Sequence, residues 1–60
     1  DGLKNGDIVK VTNHHIGKYG DLFSRIGMVH TVGKACIFIN IPNIPVLEQR
    51  VEANLELVVN

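Results

Sequence analysis

Arg25-Ile26-Gly27-Met28-Val29-His30-Thr31-Val32-Gly33-Lys34-Ala35-Cys36-Ile37-Phe38-Ile39-Asn40 is the stretch that decides how this chain folds. β-Branched and apolar residues dominate both sides of Gly33-Lys34, the pattern of two strands meeting at a short turn. Glycine there supplies the positive φ that a tight hairpin needs. A lone two-stranded hairpin is marginal in water, so the remaining residues must provide partner strands. Gly27, inside the first of these strands, predicts a bulge or sharp bend.

Working outward toward the N-terminus, Asn13 to Ser24 is polar, carries Gly17 and Gly20, and lacks helical periodicity. It reads as a long folded loop, pinned to the body by Ile16, Tyr19, Leu22 and Phe23. Before it, Asp7 to Thr12 alternates as a strand, with Val9 and Val11 on one face. Toward the C-terminus, Pro42 and Pro45 exclude a central strand and mark a connection. Val46 to Val51 alternates as a strand, Glu52-Ala53-Asn54 reads as one helical turn, and Leu55 to Val59 as a last short strand. The expectation is an all-β fold, a small five-stranded SH3-like barrel with strands near 7–12, 25–32, 35–40, 46–51 and 55–59. Val9, Val11, Val29, Ile37, Ile39 and Leu57 are its expected core.

Sixty residues make a single domain, 1–60, with a thin core. Six Lys and Arg balance six Asp and Glu. A nucleic-acid binder ordinarily carries a basic excess, so nucleic acid is not an expected partner. The one cysteine, Cys36, cannot form an internal disulfide and reads as a small core residue. No apolar run approaches the ~20 residues that span a bilayer. The chain does not begin with Met, as a processed or trimmed product would not.

Little in the sequence carries reaction chemistry. His14 and His15 are adjacent, and neighbours on extended chain point to opposite sides, so they do not share one ion; His30 belongs on the outer face of its strand. Asp7 reads as a turn-forming carboxylate, and no nucleophile–base pair can be assembled around it or Asp21. The expectation is a protein that is not an enzyme and has no cofactor and no metal. Gly17-Lys18-Tyr19-Gly20 lacks the spacing of a phosphate loop but reads as a tip that presents Lys18 and Tyr19.

Two resemblances follow from these segments. Gly6-Asp7-Ile8-Val9-Lys10-Val11-Thr12, Ile26-Gly27-Met28-Val29-His30-Thr31-Val32, Ile37-Phe38-Ile39 and Asn54-Leu55-Glu56-Leu57-Val58 together resemble the small barrels of the photosynthetic electron-transport accessory group. That group comprises the photosystem I subunit that helps dock ferredoxin, the variable chain of ferredoxin-thioredoxin reductase, and the barrel subunit of the photosynthetic NDH complex. The resemblance implies a non-catalytic binding or structural subunit of a larger protein complex. It implies an intracellular setting, in the plastid stroma or the cyanobacterial cytoplasm, peripheral to a complex at the thylakoid surface. Val9-Lys10-Val11-Thr12 followed by Arg25-Ile26-Gly27-Met28-Val29 is also similar to KOW-type barrels, which would imply a ribosomal or RNA-associated role.

The contact surface for partner subunits is expected on the first loop, at His14, His15, Lys18, Tyr19 and Phe23, with Arg25 at its end. A second patch is expected at Ile41, Pro42, Ile44 and Pro45, an apolar connection on a body too small to cover it.

Overall fold

The computed structural model describes residues 2–59. β1 (Ile8–Val11), β4 (Ile26–Val32), β5 (Ile37–Asn40) and β7 (Leu55–Val59) form where β-branched and apolar residues are concentrated, whereas β6 (Glu48–Arg50) is wholly polar. A 3-10 turn, Glu52–Asn54, precedes β7 as expected. These five strands form one antiparallel sheet in the order β6-β5-β4-β1-β7. The long first loop contains a separate two-stranded hairpin, β2 (Ile16–Gly17) with β3 (Gly20–Asp21).

The sheet is all-β and five-stranded, but it is not closed into a barrel: among the described residues β6 and β7 are its two unpaired edges. Ile39 lies opposite Glu48 and Ile37 opposite Arg50, so β6 turns two charged side chains to the inner face. Inward-pointing charges of this kind are one way in which a sheet edge is guarded. Loops close the core instead. Val9, Val11, Val29, Ile37 and Ile39 come from the sheet, while Leu22 comes from the first loop and Ile41 from the proline connection. Leu3, Ile44 and Leu55 pack around them, half-buried.

Leu57, expected in the core, is 46% exposed. It lies opposite Val9, but its strand is an edge with no neighbour on the far side. Cys36 is half-buried just before β5 rather than in the core, with its Sγ 3.8 Å from Gln49 Oε1.

Three tight turns shape the connections. They span Lys4–Asp7, Leu22–Arg25 and Ile41–Ile44, each closed by the fourth residue's N–H on the first residue's carbonyl at 3.1, 3.0 and 3.1 Å. In each the third residue has positive φ: Gly6 at 93°, Ser24 at 69°, Asn43 at 71°. Pro42 before Asn43 suits such a turn, since its fixed φ fits the second position. Asp7 hydrogen-bonds within its turn as expected, its Oδ2 accepting the Lys4 amide at 2.9 Å, and it is buried.

The hairpin and glycine expectations need two corrections. The β4–β5 turn has its tip at Lys34-Ala35, closed by the Gly33 N–H on the Cys36 carbonyl at 2.9 Å, so Gly33 lies before the tip and does not take the positive φ expected of it, and β5 begins at Ile37 rather than Ala35. Gly27 makes no bulge; the irregularities fall between Val29 and Thr31 and between Ile8 and Val9. Gly27 is required for a different reason. A Cβ there would lie 2.8 Å from the Asn40 carbonyl oxygen and 2.9 Å from Ile41 Cγ1, so only glycine lets β4 pass this close to the end of β5.

Candidate functional site

The first loop is tied together by one carboxylate. Asp21 Oδ2 accepts a hydrogen bond from His14 Nδ1 at 2.7 Å, and its Oδ1 accepts the Phe23 amide at 3.0 Å and the His15 amide at 3.4 Å. The His14 ring stacks on Phe23 with centroids 4.0 Å apart and planes 14° apart. Leu22, between the Asp21 and Phe23 positions so fixed, is 3% exposed and drives the loop into the core. The remaining apolar loop residues do not act as pins in the same way. Tyr19 is half-buried, Phe23 packs on His14, and Ile16 is 81% exposed.

The hairpin tip is Lys18-Tyr19, since Gly17 pairs with Gly20 across it. Gly20 has φ 86°, a conformation that a side chain would strain. The Lys18 Nζ sits 5.7 Å from the centroid of the Tyr19 ring. Between this tip and β6 lies a cleft of about 240 Å³. His15, Lys18 and Tyr19 line it on the loop side, and Val46, Glu48 and Arg50 on the β6 side.

The two expected patches meet at one point. Arg25 Nη2 donates to the Pro42 carbonyl at 3.0 Å, which joins the end of the first loop to the proline connection. Within the second patch, Pro42 and Pro45 are exposed and Ile44 is half-buried against the core. Ile41 is not a surface residue: it is 1% exposed and belongs to the core cluster. The Ile41–Ile44 turn folds it inward, so it cannot touch a partner. Pro42 instead borders a second hollow, about 350 Å³, on the outer face of the sheet with Ile8, Ile26, Met28 and Asn40.

Sequence reasoning missed Glu48 and Arg50. Their i, i+2 spacing puts both on one face of a strand, and that face is the inner one. The third histidine, His30, is exposed on β4, its Nδ1 2.7 Å from Thr31 Oγ1. Among the described residues no three His, Cys, Asp or Glu side chains converge, and no helix is long and apolar enough to cross a membrane.

Acid should loosen the first loop before it unfolds the sheet. The hydrogen bond from His14, then that from the Phe23 amide, holds the Asp21 carboxyl below its usual 3.8. A lowered folded-state pKa means that the contribution is complete above the unfolded value and disappears as pH falls through the lower folded value. The ring-current shifts of the His14–Phe23 stack should therefore persist from neutrality to about 3.8 and collapse below it. Asp21→Ala should show the collapsed pattern already at neutral pH. Intact stacking in that variant would disprove the role given to this carboxylate.

Comparisons of the chain with protein-family models, with curated proteins and with solved structures gave no match.

Proposed function

We propose that this chain is a half-open SH3-like barrel acting as a non-catalytic binding or structural subunit of a larger protein complex. Following the resemblance of its strand segments, we take that complex to be a photosynthetic electron-transport assembly, met at the thylakoid surface from the plastid stroma or the cyanobacterial cytoplasm. The observation that carries the subunit reading is the hairpin tip. A very small domain commits a braced, glycine-flanked hairpin to placing Lys18, exposed, and Tyr19, half-buried, beside an open cleft. Aromatic and basic side chains on such a projection are the residue types that anchor protein interfaces. The barrel reading is supported by the strand order, in which β1 lies between β4 and β7 and a 3-10 turn precedes β7.

The test is capture from a thylakoid extract by the tagged chain. The unaltered chain should retain a discrete set of photosynthetic subunits. Lys18→Glu combined with Tyr19→Ala should lower that retention by about tenfold or more, the scale of losing an interface anchor. Lys18 is exposed and Tyr19 half-buried at the hairpin tip, both outside the core cluster, so the circular dichroism spectrum should not change. Equal retention by the variant would remove the hairpin from the interface. Recovery of the chain as a free monomer would overturn the subunit reading, and salt-sensitive RNA in place of protein would replace it with an RNA-associated one.

A further inference from the structure

We infer that the cleft between the β2–β3 hairpin and β6 is a binding site for a small oxyanion, a carboxylate or phosphate group, received by Arg50. The inference goes beyond the subunit reading and stands whether or not the hairpin tip touches a partner.

Arg50 is held on the inner face of β6 by its pairing with Ile37, and it is only 8% exposed. A guanidinium stays charged at any ordinary pH and carries five N–H donors. The Nη1 group of Arg50 donates to the Gln49 carbonyl at 2.7 Å and to Glu48 Oε1 at 3.2 Å. Its Nε is buried and has no hydrogen-bond partner. Buried donors without an acceptor are rare in native proteins and point to a missing group. Nε itself is closed off from solvent, but the side chain forms part of the wall of an open cleft of about 240 Å³, so a turn of the guanidinium toward the cleft would bring this donor to an acceptor there.

The rest of the wall fits an anion. Lys18 and Arg50 outnumber the single acid, Glu48, leaving an excess of one positive charge without counting His15. Tyr19, a residue with a hydroxyl donor, is part of the same wall. Two oxygens on one atom match the planar fork of a guanidinium, a geometry shared by carboxylate and phosphate. Glu48 meets the guanidinium through Nη1 and leaves Nε without an acceptor.

The chain contains two arginines, Arg25 and Arg50, so the side-chain Nε–Hε spectrum provides both the probe and its control. The isolated, nitrogen-labelled chain would be titrated separately with sodium acetate, inorganic phosphate and sodium chloride at matched ionic strength. The Arg50 Hε signal should move saturably with acetate or phosphate, together with the Lys18 and Tyr19 amides, while Arg25 stays still. The tighter of the two curves identifies whether a carboxylate or a phosphate is the natural fit. Lys18→Gln should weaken binding about two- to fivefold, as loss of an exposed charge does. Glu48→Gln should strengthen it by removing the resident negative charge. Arg50→Lys keeps the charge but loses the fork; read at the Tyr19 amide, binding should fall about tenfold or more. If that variant fails to fold, the wild-type titration and Lys18→Gln still decide. Arg50 and Arg25 shifting alike and linearly, as with chloride, would overturn the inference, and so would unchanged binding by Lys18→Gln with weaker binding by Glu48→Gln.

Discussion

Truncating Ile41 to alanine should destabilise the domain by about 2–5 kcal/mol, the range for deleting a buried isoleucine side chain. The side chain is 1% exposed, and it joins the proline connection to a core otherwise built mainly by the sheet. Cores this small supply only about 3–5 kcal/mol of net stability, so the upper end of that range would leave the chain largely unfolded at room temperature. Pro45→Ala, a few residues further along on the exposed side of the same connection, should change stability by less than about 0.5 kcal/mol. Urea unfolding of the two variants separates the core role of Ile41 from a surface role. An Ile41→Ala midpoint matching that of Pro45→Ala would return Ile41 to the surface.

Gly27→Ala should cost about 1–3 kcal/mol or more, although alanine is the smallest possible side chain with a Cβ. The new methyl would meet the Asn40 carbonyl oxygen at 2.8 Å and Ile41 Cγ1 at 2.9 Å. The isoleucine can adjust its rotamer, but the carbonyl cannot turn away easily, because Asn40 is paired with Met28 in the β4–β5 ladder. Combining Gly27→Ala with Ile41→Ala should therefore cost less than the sum of the two single changes, since one obstacle is removed and the other stays. Strict additivity in that double-mutant cycle would mean that the two positions do not touch.

β1, β4, β5 and β7 were legible because Val, Ile and Leu are concentrated in them. The core positions of β1, β4 and β5 followed directly from parity: Val9, Val11, Val29, Ile37 and Ile39. Parity could not say which strands would be edges, and that is why Leu57 came out half in solvent. Nor could it say that the Glu48 and Arg50 face of β6 would turn inward against the ordinary preference of charges for water. The Pro42-Asn43 turn was visible as a connection, but the direction in which it throws Ile41 depends on the positive φ of Asn43, a property of the folded backbone. In the first loop the tip at Lys18-Tyr19 was readable from its flanking glycines. The bracing by Asp21 was not, since it links side-chain and backbone groups whose partners depend on three-dimensional geometry. Cys36 looked like core because of its neighbours in sequence, yet it precedes β5 at the end of a turn and stays half-buried.

The placement of β1 between β4 and β7 has a consequence for how the chain is made. β1, the first strand of this sheet, acquires one neighbour only after the long loop has been made, and the other only when β7 appears. A nascent chain stalled before Leu55 would hold Val9 and Val11 in a ladder bonded on one side alone. Such non-local pairing is slow, because the loop-closure entropy is lost before the ladder compensates for it. Folding should therefore be a late, all-or-none event on the ribosome rather than a progressive one, with protease resistance arising in a single step once β7 has cleared the exit tunnel.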